Sequence, residues 1–340
     1  MAVTENLEGK QLIKIIDDLW DDRVGFVKNI MGVTPTNQQG NGLAALDKND
    51  HVVIKSGHGT GKSFIQVVSI LHFMSTRNFP KVPCTAPSKH QLFDVLWAEL
   101  SKWHRQMNPL FRNQFLWTKE KFMHKQHPEE WFAVARTATK ENPEALQGFH
   151  ADYILRVVDE ASGVPEAIFE VADGAHGRLE TKELLCGNPT RLDGTFFDAF
   201  GKSRSSYKGL TWSCLDSPVV PVEFAPRIAA KYGEESSAYR VRVLGEFPLT
   251  DSDSFIPFHY AESAVSRDIL PQRDYPKVFG VDVARFGNDE TVIAIRQGAD
   301  IYKPHILRGK ATMQVAGSVA QLANKEKPVQ IYVDVIGIGA

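Results

Sequence analysis

The 340-residue sequence has little cysteine, only Cys84, Cys186 and Cys214. The number is odd and no C-x-x-C spacing occurs, which argues against a disulfide framework or a thiolate metal site. Each thiol sits among apolar or small neighbours and reads as a buried cysteine in a reducing compartment. Met1 to Lys10 lacks the apolar core of a secretory leader. No apolar run approaches the roughly 20 residues of a membrane span. Net charge is also nearly missing: 39 Lys and Arg against 41 Asp and Glu give −2. Any nucleic-acid surface must therefore be local. What remains, 43% hydrophobic and 24% charged residues, is ordinary globular composition. The length suits two domains better than one.

The richest stretch is Ser56-Gly57-His58-Gly59-Thr60-Gly61-Lys62-Ser63. It follows the apolar run His51 to Ile54 and precedes Phe64, Ile65, Val67, Val68, Ile70 and Leu71 at helical spacing. Strand, glycine-rich turn and helix form the context of a phosphate-binding loop, whose backbone N–H groups face phosphate oxygens. The helix start adds positive potential. Lys62 would reach the β- and γ-phosphates, and the Ser63 hydroxyl would hold Mg²⁺. One position departs from the usual pattern: Ser56 stands where glycine is expected.

Upstream, residues 11–31 carry apolar groups at helical spacing and read as an amphipathic preface. In Thr34-Pro35-Thr36-Asn37-Gln38-Gln39, a glutamine amide could pair with the adenine edge. Gln38 is the first candidate and Gln39 the second; a polar helix start is the competing reading.

Lys81 to Ser88 reads as a strand and turn, and Gln91 to Met107 as a helix with Leu92, Val95, Leu96, Leu100 and Trp103 on one face. Residues 108–130 interleave basic and aromatic groups, which suits single-strand binding but better suits a solvated hairpin with buried aromatics. His124 and His127 lack a carboxylate or thiol at matching spacing, so a metal site is not expected there. Trp131 to Arg136 reads as a strand.

The apolar strand Tyr153 to Val158 ends in Asp159-Glu160, at the sheet edge where open α/β sheets bind ligands. Asp159 would hold Mg²⁺, and Glu160 would act as general base on the attacking water. Strand Glu183 to Cys186 ends in Gly187-Asn188-Pro189, making Asn188 a candidate γ-phosphate sensor or a plain turn residue. Residues 216–250 read as a small helical lid and 251–275 as a linker.

A second domain is expected from 276. Gly280-Val281-Asp282 ends one strand, Arg285 to Glu290 forms a turn, Thr291 to Ile295 returns, and a later strand ends in Asp334. Aspartates on neighbouring strands can bind two Mg²⁺ or Mn²⁺ ions for phosphodiester cleavage.

In this order the motifs resemble the large terminase subunit of tailed bacteriophages: the loop at 56–63, Val157-Val158-Asp159-Glu160, Gly187-Asn188-Pro189, Leu244-Gly245-Glu246-Phe247 and Gly280-Val281-Asp282. The likeness runs from about residue 33 to the end. It implies an ATP-driven motor that moves double-stranded DNA into a procapsid, joined to an RNase H-like nuclease. The implied fold is an α/β ATPase core over 33–215 behind a helical arm at 1–32, with the lid, the linker and a partial nuclease domain at 276–340. Implied partners are a portal protein, a small terminase subunit and further copies in a ring, all in the host cytoplasm. Carried over, Lys62, Ser63, Asp159 and Glu160 match the ATPase residues, and Asp282 and Asp334 the first two nuclease acids. Asp289 is an auxiliary metal ligand in this reading, and Arg136 a candidate arginine finger acting in cis or from a neighbour. The family nuclease needs a third acid beyond Asp334, so the nuclease half is expected to be incomplete in this chain. Two rivals are a helicase-like translocase without a nuclease role and a non-enzymatic remnant that binds DNA or capsid protein.

Overall fold

The computed structural model describes residues 13–137, 148–172, 177–249, 263–265, 273–284 and 290–334. The chain divides into two compact units, Met1–Tyr260 and Ala261–Ala340. Asp289 lies outside the described residues.

The first unit is an α/β layer structure around an eight-stranded sheet. In chain order the strands are β1 (His51–Ser56), β2 (Lys81–Thr85), β3 (Phe115–Trp117), β4 (Lys121–His124), β5 (Phe132–Ala135), β6 (Tyr153–Val158), β7 (Glu180–Gly187) and β8 (Lys208–Trp212). Their order across the sheet is β3-β4-β5-β2-β6-β7-β1-β8. The run from β5 to β8 is parallel, and β3 and β4 add an antiparallel hairpin at one edge. Central parallel strands are covered on both faces, so β1 and β6 are buried almost throughout rather than on alternate residues. The helix Lys62–Thr76 is buried nearly all round for the same reason.

The sheet order places the site. β7 lies between β6 and β1, with Val53 level with Leu185 and Leu185 level with Val158. The loops leaving these three parallel strands therefore emerge side by side at one edge.

The expected N-terminal helix is in fact broken. Arg77, fully buried just past the end of the loop helix, donates to the Trp20 carbonyl and pairs with Asp21 and Glu180. Asp22 then caps a new helix, Arg23–Ile30, by accepting from the Gly25 N–H at 2.7 Å. The expected helix after β2 begins as a π-helix, His90–Trp97, before Ala98–Gln106, and the altered phase leaves Val95 exposed instead of facing the core. In the β3–β4 region Phe111, Phe115 and Phe122 are buried while Lys119 and Lys125 face solvent, which is the hairpin reading.

His72 is buried in the loop helix and its Nε2 meets the Leu19 carbonyl at 2.7 Å, while Nδ1 has no partner. Burial, with Arg23 and Arg77 nearby, pushes its pKa well below the usual histidine range. The folded state thus refuses a proton that the unfolded chain accepts below about pH 6.5, and stability falls as pH drops. His72 is expected to contribute a loss approaching 1.4 kcal/mol per pH unit below about pH 6. Urea unfolding at pH 7.5 and 5.5 checks this: His72→Gln should flatten the pH dependence relative to wild type.

The second unit is a smaller sheet of β9 (Lys277–Asp282), β10 (Glu290–Gln297), β11 (Asp300–Ile301), β12 (His305–Arg308) and β13 (Gln330–Val333), with the helix Thr312–Glu326. β10 alternates buried and less buried residues against a core of Phe279, Val281, Ile293 and Ile295. β9 pairs with β10 antiparallel and with β13 parallel. Among the described residues no helix is long and apolar enough to cross a membrane.

Candidate active site

The turn after β1 is built as the glycine pattern suggests. Gly59 and Gly61 take positive φ of 74° and 94°, a region costly for other residues, and Gly61 starts the helix at Lys62. The first two amides of the turn are spent within the protein: Gly57 N–H donates to Trp212 O at 2.9 Å and His58 N–H to Arg242 O at 2.8 Å. The amides of Gly59, Thr60 and Gly61, with those of Lys62 and Ser63 at the helix start, have no acceptor among the described residues. Five donors at a helix N-terminus form an anion cradle.

Ser56 explains its own departure from glycine. Its side chain is fully buried and its hydroxyl donates to Gly57 O at 2.9 Å, leaving no orphan group. Its carbonyl accepts from Asn188 Nδ2 at 2.6 Å.

Asn188 ties three elements together. Lys62 Nζ donates to Asn188 Oδ1 at 3.1 Å, and the Asn188 N–H donates to Glu160 Oε2 at 3.2 Å. Glu160 Oε1 lies 3.7 Å from Lys62 Nζ. Glu160 also sits at φ 46°, an uncommon conformation for a residue with a side chain. It is held there by Asp159 Oδ1 on its N–H at 3.0 Å and by the turn that brings the Gly163 N–H to its carbonyl at 2.8 Å. Observed strain that the surroundings over-determine is common where a side chain must be aimed.

Asp159 is 4% exposed. Burial, then the adjacent Glu160 charge, raise its pKa to about 6, with Lys62 opposing. Gln66 on the loop helix reaches this strand end, donating to Val158 O at 3.3 Å. Ser63 lies three residues earlier, on the same face of that helix as Gln66. Apolar spacing does not single out Gln66; a lone amide inside an otherwise apolar helix is the only local signal it gives.

The two glutamines divide their work. Gln39 closes a capping box with Thr36 and packs against Gly61, where an added Cβ would lie 2.2 Å from its Nε2. Gln38 donates to Ser213 O at 2.9 Å, and its buried Oε1 has no partner. Arg136 does not join the cluster. It is exposed at the end of β5, with β2 between it and β6, which leads into Asp159 and Glu160, and with β2, β6 and β7 between it and β1.

In the second unit, Val281 and Val333 are level on parallel strands, and the Asp334 N–H donates to Val281 O at 2.9 Å. Asp282 and Asp334 therefore end neighbouring strands side by side. No group of three or more metal-binding side chains occurs among the described residues.

No family model matches the chain. The probable terminase large subunit of Enterobacteria phage P7 is 30% identical over 289 residues, covering 81% of this chain and 58% of that protein. The chain thus spans a little over half the length of this relative. Among solved structures, the large terminase of a thermophilic bacteriophage in complex with ADP aligns over 88% of this chain and 77% of its own, with 13% identity and a TM-score of 0.49. The large terminase ATPase domain of Thermus phage P74-26 aligns over 64% and 95%, with 16% identity and a TM-score of 0.48. On the sequence match, over the residues it spans, the chain is a homologue of the large terminase subunits of bacteriophages.

Proposed function

We propose that the first unit hydrolyses ATP to drive double-stranded DNA into a procapsid, and that the second contributes two carboxylates to a metal-dependent nuclease site. The observation that carries the ATPase reading is the convergence of Lys62, Asn188, Asp159 and Glu160 on five unpaired loop and helix amides. In this reading the amides of Gly59 to Ser63 and the Lys62 ammonium bind the β- and γ-phosphates. Glu160, fixed in direction by Asn188 and its own backbone turn, orients the attacking water and accepts its proton. Asn188 contacts both Lys62 and Glu160, so it links the phosphate contact to the base. Ser63 and Asp159 would hold Mg²⁺, which supplies positive charge to the phosphates when bound; a buried carboxylate at the strand end beside the loop fits that ion. Gln38 would offer its unpartnered amide oxygen to the adenine amino group. Residues 216–250 act as the lid. Arg136 would act on its own site or on that of a neighbouring copy. A portal protein, a small terminase subunit and a ring of copies in the host cytoplasm follow from the relationship to large terminases.

Asp282 and Asp334 would hold the nuclease ions as two adjacent carboxylates. With Mn²⁺ and supercoiled plasmid, and with the chain extended at its C-terminus to supply the third acid, Asp282→Asn is expected to cut at least about 100-fold more slowly than the extended wild type, as loss of a metal ligand requires. Equal cleavage by both would remove Asp282 from the nuclease site.

A further inference from the structure

One charge on the loop-bearing strand has no place in the chemistry above. In β1 the apolar run Val52 to Ile54 is buried, yet Lys55, immediately before Ser56, is itself only 8% exposed. A buried ammonium needs a partner. Lys55 Nζ pairs with the Glu246 carboxylate, 191 residues away, and lies 5.3 Å and 5.2 Å from the ring centres of Phe200 and Phe247.

Glu246 belongs to a turn that is moulded onto the phosphate loop. Gly245 has φ 68°, and a Cβ there would lie 2.7 Å from the Gly57 nitrogen and 2.8 Å from the Ser56 carbonyl carbon. The preceding segment supplies the Arg242 carbonyl that takes the His58 N–H. The Cys214 thiol bridges the His58 and Arg242 carbonyls at 3.2 Å and 3.3 Å. The turn is closed on itself by the Glu246 N–H on Arg240 O at 2.9 Å and by Arg240 Nε on Phe247 O at 3.1 Å. The root of the loop is thus fixed by contacts from 240–247, and that segment is pinned to β1 by one ion pair.

We propose that Lys55 and Glu246 are positioning residues for nucleotide binding: their ion pair clamps the 240–247 turn on the root of the phosphate loop and holds the amides of Gly59 to Ser63 in the shape that receives a polyphosphate. The inference rests on the reading of this site as a nucleotide site. Removing one member strands the other charge and costs stability whatever the pair does for the nucleotide, although Glu246, whose side chain is 37% exposed, can turn to solvent; melting temperature is therefore read beside affinity.

The test uses the 340-residue chain as wild type, Lys55→Met, Lys55→Arg and Glu246→Gln. ATP affinity is read by displacement of a fluorescent ATP analogue, steady-state hydrolysis gives KM and kcat, and melting temperature reports the fold. Lys55→Met and Glu246→Gln are expected to raise the ATP Kd and KM about tenfold, with kcat within about twofold, a loss of pre-organised binding rather than of chemistry. Lys55→Arg, which keeps the pair and the ring contacts, should stay within about threefold of wild type. A folded Lys55→Met with Kd and KM within about twofold of wild type overturns the proposal and leaves the pair structural. Should Lys55→Met fail to fold, the same comparison on Glu246→Gln decides. A wild-type chain that binds no ATP removes the nucleotide reading itself, a result distinct from equal binding by wild type and variants.

Discussion

Glu160→Gln is expected to bind ATP as tightly as wild type and to turn it over about 100- to 10,000-fold more slowly, the range for loss of a positioned general base. The two halves of this expectation have separate causes. Glutamine keeps the length of the side chain and an oxygen for the Asn188 N–H, which Glu160 Oε2 now accepts at 3.2 Å. The turn around the strained Glu160 backbone is made by Asp159 Oδ1 and by main-chain groups, so it survives the change. What disappears is the basic carboxylate and its charge 3.7 Å from Lys62. Phosphate release measured under single-turnover conditions, with ATP binding measured beside it, separates the two. A parallel fall in affinity would mean that Glu160 shapes the site rather than acting on water.

Lys62→Ala should act on binding and on turnover together. A charge-assisted hydrogen bond to phosphate is worth about 1.5–3 kcal/mol, so ATP affinity is expected to drop by roughly 10- to 100-fold. Turnover should fall a further 100- to 1,000-fold or so, because the ammonium also meets charge that develops in the transition state. The variant also leaves Asn188 Oδ1 without its donor and the Asp159–Glu160 pair without its nearest cation. Isothermal titration with ATP and a steady-state phosphate assay check both numbers. Binding within about threefold of wild type would place the phosphates elsewhere.

The elements of the first site are legible in the sequence because each has a local cause. Glycines at 57, 59 and 61 before Lys62-Ser63, and an apolar strand running into Asp159-Glu160, need only short-range pattern to be read. Their meeting depends on strand order, with β7 inserted between β6 and β1, and that order is set by packing of the whole sheet. β8 escapes a reading of the sequence because Lys208-Gly209-Leu210-Thr211-Trp212 at the sheet edge has no apolar run and only two large apolar residues, Leu210 and Trp212, too short an alternation to stand out. The break at Asp21 and the π-helix at His90 are hidden for different reasons. One arises from a guanidinium 56 residues away, the other from a phase change that apolar spacing does not record. Lys55 reads as a polar strand end; its partner Glu246 lies across the fold and gives no local sign. In the second unit the two aspartates at strand ends follow from the apolar runs before them, while the helix Thr312–Glu326 between them does not stand out.

The most direct test is a crystal structure of the chain with Mg²⁺ and a slowly hydrolysed ATP analogue. The account predicts the triphosphate on the amides of Gly59 to Ser63, the γ-phosphate against Lys62, and Glu160 facing it. A triphosphate bound instead at the opposite sheet edge, in the concavity lined by Lys81, His150, Tyr153 and Arg178, would contradict it.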